Sequence, residues 1–168
     1  MEELLTTIKS KADLGLIAHL LRRAGFGATP EEMDRFSKMD YDEIVGQLID
    51  FSGDDYIPQD IISRFHKDQS DFRGAPGAGA HWIYRMVMTD TPLREKMCLF
   101  WHRIFATAGT KLIQRRVLLN QIGMFREKGF GRFDDLLLGL SKDPAMIMWL
   151  DNQDNHGSSI NENYGREI

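Results

Sequence analysis

The segment from Leu93 to Thr107, LREKMCLFWHRIFAT, places the tightest constraint on how this chain folds. At 100° per residue, most of its apolar side chains fall on one broad arc of a helix. These side chains are Leu93, Met97, Cys98, Phe100, Trp101, Ile104 and Phe105. Leu99 and Ala106 lie on the opposite side, so little of the helix is free of apolar contact. Because a surface helix carries a narrower stripe, the pattern predicts a central helix that packs against neighbours on most sides.

A polar seam on this helix carries Glu95 and His102, which lie within about 20° of each other around the helix axis. One interpretation of His102 is a residue that forms a hydrogen bond at the edge of the core. The other is a metal ligand or general base that faces a pocket and is oriented by Glu95 or by a distant carboxylate. No HExxH or comparable spacing accompanies His102, so the sequence favours no particular metal.

Trp101 distinguishes the core side of this helix from the pocket side. It falls inside the apolar arc, whereas His102 falls at the boundary of the arc. We therefore predict that Trp101 is mostly buried among helices. Its removal is expected to destabilise the fold more than the removal of His102 does.

Composition argues against several classes of protein. The chain has 168 residues, enough for one sizeable core, and we predict a single helical domain over residues 1–168. The net charge is −4, and the small basic cluster of Lys111, Arg115 and Arg116 has no interleaved aromatic residues, so nucleic-acid binding is not expected. The one cysteine, Cys98, excludes an internal disulfide, and we expect a packed thiol. No apolar run approaches the ~20 residues of a membrane span, and the sequence as written predicts a soluble, cytoplasmic protein.

Apolar residues spaced three and four apart predict an all-α protein. Helices are predicted over residues 14–23, 30–37, 41–49, 59–67, 81–88, 93–107, 111–128, 132–141 and 145–150. No segment alternates apolar and polar residues as a strand does, and no Asn-Gly or Asp-Gly hairpin turn occurs. The prediction is an irregular bundle of about eight or nine helices joined by short loops.

Local signals place several boundaries between the predicted helices. Thr29, Pro30 and Glu32 have the order of an N-cap, a first-turn proline and a capping-box acid. Gly25 is expected to end the first helix in the left-handed conformation. The segment Ser70–Ala80, SDFRGAPGAGA, is predicted to be a mobile connection, because it is rich in glycine and lacks the ending of a phosphate-binding loop.

The C-terminal segment from Asp151 onward is the most polar part of the chain. A last helix is predicted to start near Asn161 and to be cut off at Ile168, which indicates the N-terminal part of a larger helical protein. Asp and Asn often cap helices and form turns, and this is one interpretation of the segment. The other interpretation is a site for a hard cation or for sugar hydroxyl groups.

The second interpretation corresponds to a metal-assisted or acid/base hydrolase that acts on a polar, saccharide-like substrate. Its catalytic residues would be His102, Asp151 and Glu162. Its substrate-binding residues would be Asn155, Asn161 and Arg166. A divalent cation is one possible cofactor of such a hydrolase, and the sequence does not identify the metal.

Four blocks along the chain carry a family resemblance: LLRRAGFGATPEE, LREKMCLFWHRIFAT, DPAMIMWLDNQDN and NENYGRE. Together they resemble the N-terminal part of a large bacterial family classified only as a domain of unknown function, number eighteen-hundred. The resemblance implies a longer protein that continues past NENYGRE into a leucine-rich helix and a second half, and that is often exported. It implies no activity. As written, the chain stops before that second half and carries no leader, so export of a longer parent stays open.

Two functional hypotheses follow from these patterns. The first is a helical interaction or scaffold module, whose partner is the missing C-terminal half of a longer parent or another protein. An exposed apolar surface is the feature expected of it. The alternative is the hydrolase described above, which requires His102, Asp151 and Glu162 to share one site.

Overall fold

The computed structural model of the protein describes residues 13–52, 64, 75–112 and 115–168. The α-helices within these residues are α1 (Leu14–Ala24), α2 (Pro30–Phe36), α3 (Tyr41–Ile49), α4 (Ala75–Met88), α5 (Pro92–Ile104), α6 (Arg116–Lys128), α7 (Phe133–Ser141), α8 (Pro144–Trp149) and α9 (Asn163–Glu167). A turn of 3₁₀-helix, Asn152–Asp154, lies between α8 and α9. No β-strand occurs in this part of the chain, which confirms the prediction of an all-α, multi-helix fold. The helix predicted over residues 59–67 lies outside the described residues except for residue 64.

The described residues form two compact units. The first unit contains residues 13–52 and 89–96, and the second contains residues 64, 75–88, 97–112 and 115–168. Each unit has its own buried apolar cluster. The folding of residues 1–168 as a single domain stays a prediction.

The core of the first unit joins α1, α2 and α3. Ile17 and Leu21 of α1 are buried with Phe36 of α2 and Ile44 of α3. The four-residue spacing of Ile17 and Leu21 places both on the same face of α1, as the sequence predicts. Leu14 lies three residues before Ile17 and is therefore expected on the same face of α1, but it is exposed instead.

The entry into α2 confirms the predicted capping box. The Thr29 hydroxyl accepts a hydrogen bond from the Glu32 N–H at 3.2 Å, and the Glu32 carboxylate accepts one from the Thr29 N–H at 2.7 Å. Because the first N–H groups of a helix have no partner within the helix, this reciprocal pair fixes where α2 begins.

The end of α1 differs from the prediction at Gly25. Its backbone is extended, with φ −154° and ψ −146°, so the predicted left-handed conformation is wrong. A Cβ atom at Gly25 would lie 3.0 Å from Cβ of Pro92, and this close approach is what favours glycine there. The left-handed region is occupied two residues later, by Gly27 with φ 107°.

Residues 75–80 of the glycine-rich segment are helical, contrary to the prediction of a mobile connection from Ser70 to Ala80, and residues 70–74 lie outside the described residues. Helix α4 begins at Ala75 and includes the second half of that segment. Proline is tolerated in the first turn of a helix, and alanine is the best helix former, so Pro76 and the alanines that follow are compatible with this start. Ala78 is buried, and its small size permits close packing.

The core of the second unit is built around α6, which packs against α4, α7 and α8. Its buried side chains are Cys98, Phe105, Ile122, Phe125, Leu136, Leu140, Met146 and Leu150. The Cys98 thiol is fully buried and donates a hydrogen bond to the Ile122 carbonyl at 3.7 Å, which confirms the expected packed thiol. Helix α6 begins later than the predicted Lys111, because the Leu112 N–H closes a turn onto the Gly109 carbonyl at 3.2 Å.

Helix α5 and the residue that follows it divide their apolar side chains between core and surface. Cys98 and Phe105 are buried, whereas Phe100 is 47% exposed and Ile104 is 50% exposed. Glu95, which the sequence places on a polar seam, is completely buried. The prediction that this helix has apolar neighbours on most sides is therefore wrong for Phe100 and Ile104.

Candidate functional site

The polar C-terminal segment begins where α8 ends. Helix α8 ends at Trp149, and Asp151 follows it with φ 56° and ψ 29°. Asp151 is the one non-glycine residue with positive φ among the residues that the structure describes. Aspartate and asparagine enter this left-handed region more readily than other side chains, so the chain turns here without a glycine.

A buried polar pair holds the start of α8. The Asp143 carboxylate accepts a hydrogen bond from the Met146 N–H at 2.9 Å and one from the Gln121 side chain at 2.7 Å. Gln121 is completely buried, and Asp143 is nearly so. Burial raises the pKa of the Asp143 carboxyl, while the hydrogen bonds from Met146 and Gln121 act in the opposite direction.

Asn161 joins the end of α8 to the start of α9. Its side-chain amide donates to the Leu150 carbonyl at 3.1 Å and to the Asp151 carbonyl at 2.9 Å. Its side-chain oxygen accepts a hydrogen bond from the Asn163 N–H at 2.9 Å, and its own N–H donates to the side-chain oxygen of Asn155 at 3.2 Å. Both amide hydrogens of Asn161 are therefore used within the chain.

Asn163 and Arg166 extend this network along α9. The Asn163 amide also donates to the Leu150 carbonyl, at 3.2 Å, and its oxygen accepts a hydrogen bond from Arg166 at 2.8 Å. Arg166 forms an ion pair with Glu162 at 3.1 Å. Carbonyl groups at a helix end lack partners within the helix, and the Leu150 carbonyl receives two. Capping chemistry, one of the two interpretations of this segment, is therefore present at Asn161 and Asn163.

The same residues border an open depression of about 670 Å³. Its lining residues are Asn152, Asn155, Ile160, Asn161, Glu162, Tyr164, Gly165 and Arg166. Four of the six candidate site residues therefore meet here: Asn155, Asn161, Glu162 and Arg166. Asp151 and His102, the other two, do not line the depression.

Asp151 is held by a residue distant in sequence. Its carboxylate forms an ion pair with Lys111 at 2.9 Å, and both side chains are about half exposed. Lys111 also donates to the Trp149 carbonyl at 3.1 Å, and its ammonium lies 5.6 Å from the centre of the Trp149 ring. Lys111 thus ties the turn before α6 to the end of α8, and the Asp151 carboxylate is already paired with a cation.

His102 lies in an apolar environment on α5. Its ring meets the Trp82 ring edge to face, with centroids 5.5 Å apart. Its Nδ1 atom is buried and has no hydrogen-bond partner within the described part of the protein. Burial lowers the pKa of the His102 imidazole, which favours the neutral form. No carboxylate of the described residues therefore accepts a hydrogen bond from Nδ1 and orients the ring as a general base.

The described residues contain no group of three or more His, Cys, Asp or Glu side chains arranged to hold a metal ion. The hydrolase alternative requires His102, Asp151 and Glu162 at one place. In the structure only Glu162 borders the depression, while Asp151 contacts Lys111 and His102 contacts Trp82.

A second candidate region surrounds Trp101 in the second unit. The Trp101 ring is stacked on Phe133 with centroids 5.9 Å apart, and it meets Phe100 edge to face at 5.0 Å. Ile104 lies one turn along α5 from Phe100, on the same side of the helix. We call Phe100, Trp101, Ile104 and Phe133 the aromatic surface. Phe133 is 56% exposed, and Phe100 and Ile104 are exposed to a similar degree.

Trp101 connects this surface to the core. Its indole N–H donates to the Gly129 carbonyl at 2.9 Å, and its ring stacks on the buried Phe105 at 5.8 Å. Trp101 is of intermediate burial and packs against the buried cluster of the second unit, in agreement with the prediction that it is mostly buried. The apolar arc of α5 was visible in the sequence. The sequence did not indicate that Phe133 is exposed, because Phe133 is the first residue of α7 and no periodic pattern precedes it.

A family model described as "Protein of unknown function (DUF1800)" matches residues 19–168. No curated protein and no solved structure matches the chain. No helix among the described residues is long and apolar enough to cross a membrane.

Proposed function

We propose that this chain, which belongs to the DUF1800 family of proteins of unknown function, is a helical interaction module that binds a polypeptide partner through the aromatic surface. The observation that carries this proposal is the exposure of Phe100, Ile104 and Phe133 around Trp101. Single exposed apolar residues are common on soluble proteins, but contiguous apolar patches are characteristic of interaction sites.

The aromatic surface has the composition of a binding centre. Tryptophan and other aromatic anchors dominate the energy of many interfaces, since each buries a large area with few rotatable bonds. Trp101 is held before binding by its hydrogen bond to Gly129 and by its stacking on Phe105. An anchor that is fixed in advance loses little conformational entropy when the partner binds.

The partner that we propose is an apolar helix of the C-terminal half that the family resemblance implies. A leucine-rich helix would supply apolar side chains to a surface that offers aromatic rings and the Ile104 side chain. Helix-on-helix burial of apolar side chains is the ordinary way in which all-α proteins complete a core. The scaffold role of this chain would then be to position that second half.

Phe133→Ser tests this proposal, and Leu138→Ser is its matched control. Both residues lie on α7, and their exposed fractions are 56% and 59%. Phe133 contacts Trp101, whereas Leu138 is five positions further along α7 and points to a different side. Calorimetric titration with the C-terminal part of a longer family member should show binding to the wild type and to Leu138→Ser. The affinity of Phe133→Ser should be lower by a factor of about ten or more.

Equal binding of the two variants, or no binding by the wild type, would contradict the proposal. A dye that fluoresces on apolar surfaces provides a partner-free measurement. Its signal should fall in Phe133→Ser and stay near the wild-type value in Leu138→Ser. Far-ultraviolet circular dichroism of both variants checks that the helices remain folded.

A further inference from the structure

We propose that the depression beside α9 binds a neutral saccharide. The inference is independent of the proposed protein interaction, because none of the residues that line the depression belongs to the aromatic surface. It rests on the hydrogen-bonding groups left available in the lining, on their charge and on the presence of an apolar wall.

The lining offers both donors and acceptors to a ligand. Asn152 accepts a hydrogen bond from Asn155 at 3.3 Å through its side-chain oxygen, which leaves its amide hydrogens without a partner among the described residues. Glu162 uses one carboxylate oxygen for Arg166, and the other oxygen is available as an acceptor. A sugar hydroxyl both donates and accepts, so it is suited to a site that presents an amide N–H beside a carboxylate oxygen.

The charge of the lining favours a neutral ligand. Glu162 and Arg166 are its two charged residues, and they form an ion pair at 3.1 Å. Arg166 also donates to the Asn163 side chain at 2.8 Å, so two of its five N–H donors are already used within the chain. A phosphate would lie close to the Glu162 carboxylate, and a cation would lie close to Arg166.

Tyr164 and Ile160 supply an apolar wall. Both residues line the depression, Tyr164 as an aromatic residue and Ile160 as an aliphatic one. Binding sites for small molecules combine such apolar surface with a few fixed polar groups. The hydrogen bonds of Asn161 to Leu150 and Asp151 attach this lining residue to the end of α8.

The depression has the size of a ligand site but is open to solvent. Its volume of about 670 Å³ lies within the range of small-molecule sites. An open site buries only part of its ligand, so we expect a dissociation constant on the order of 1 mM.

Two glycines provide a matched pair of variants. A Cβ atom at Gly165 or at Gly157 would meet no other atom within 4 Å, so both positions accept a side chain. Gly165 lines the depression and Gly157 does not. Gly165→Leu should therefore fill the site, whereas Gly157→Leu adds the same side chain elsewhere in the same segment. Asn152→Asp is a further variant, which keeps the side-chain oxygen that Asn155 uses and removes the available amide donor.

The experiment is an amide-resolved nuclear magnetic resonance titration of the whole chain with maltose. We expect saturable shifts at the amides of Asn152, Tyr164 and Gly165, and the same result with Gly157→Leu. Gly165→Leu should lose the saturable shifts, and Asn152→Asp should bind about fivefold more weakly. Inorganic phosphate, titrated alone, should not shift these amides. Phe133→Ser should bind maltose as the wild type does, so the two proposals can fail separately.

Absence of saturable shifts in the wild type would overturn the proposal. Unchanged binding by both Gly165→Leu and Asn152→Asp would overturn it as well, because the sugar would then bind elsewhere. A saturable response of these amides to phosphate, with maltose unable to displace it, would assign the site to an anion instead. Thermal unfolding of each variant checks that it is folded. If Gly165→Leu does not fold, the binding of maltose by Asn152→Asp decides the outcome.

Discussion

Trp101→Ala should destabilise the protein by about 2–4 kcal/mol. Truncation of a fully buried tryptophan costs about 3–5 kcal/mol, because the surroundings collapse only partly into the space left behind. Trp101 is partly buried, which reduces this contribution. The variant also removes the indole donor to the buried Gly129 carbonyl, and an unpaired buried group adds about 1 kcal/mol or more.

Two companion variants separate the contributions at this position. Trp101→Phe retains a ring that can stack on Phe105 but loses the hydrogen bond to Gly129 and the volume of the second ring, so it should cost about 1–2 kcal/mol. His102→Ala should also cost about 1 kcal/mol or less. The His102 Nδ1 atom forms no hydrogen bond that would be lost, and the main loss is the edge contact with Trp82.

Urea unfolding followed by far-ultraviolet circular dichroism measures all three variants without relying on tryptophan emission. Linear extrapolation yields the free energy of unfolding of each. A cost of less than about 1 kcal/mol for Trp101→Ala would contradict this expectation, since stacking and the hydrogen bond would then contribute little. A loss for His102→Ala as large as that for Trp101→Ala would make His102 a core residue and would argue against a catalytic role.

Three further predictions address other parts of the chain. Because burial raises the pKa of the Asp143 carboxyl in the folded state, stability should fall as pH rises above about 4, and Asp143→Asn should flatten this slope in urea unfolding. Asn161→Asp should cost about 1–2 kcal/mol in thermal or urea unfolding, because it removes both donors to the carbonyls at the end of α8, and wild-type stability would contradict this. Gly46→Ala, in open space within α3, should stabilise the protein by about 0.5–1 kcal/mol, whereas Gly27→Ala should destabilise it by about 1 kcal/mol, because φ is 107° there. Equal changes in the free energy of unfolding for Gly46→Ala and Gly27→Ala would contradict this prediction.

Much of the fold could be predicted because its signals are local. The capping residues Thr29 and Asp143 each accept a hydrogen bond from an N–H three residues later, so their effect is visible within one turn of sequence. The four-residue spacing of Ile17 and Leu21 likewise identifies the buried face of α1. The family, recognised from four sequence blocks, is confirmed over residues 19–168.

The errors concern contacts between distant residues. Gly25 follows a helix and suggested a left-handed cap, but its backbone is extended and packs closely against Pro92, which lies far along the chain. The apolar side chains of α5 were assigned to the core by periodicity alone. Periodicity shows that Phe100 and Ile104 share a side of the helix, but it does not show whether another helix covers that side.

The candidate site was predictable in kind but not in arrangement. Its polar composition indicated capping chemistry, and Asn161 does accept a hydrogen bond from the Asn163 N–H. The pairing of Asp151 with Lys111 spans 40 positions, and no local pattern relates the two. The catalytic grouping of His102, Asp151 and Glu162 and the substrate-binding grouping of Asn155, Asn161 and Arg166 stay predictions.

Chemical labelling of Cys98 can measure how often the second unit opens. Cys98 is the one thiol of the chain, and it lies fully buried with its sulfur against the Ile122 carbonyl of α6. A thiol-specific reagent needs an accessible thiolate, so labelling must wait until α5 and α6 separate. When closing is faster than labelling, the labelling rate measures the equilibrium between closed and open molecules. An opening free energy below that of urea unfolding would show that these two helices part before the rest of the unit unfolds.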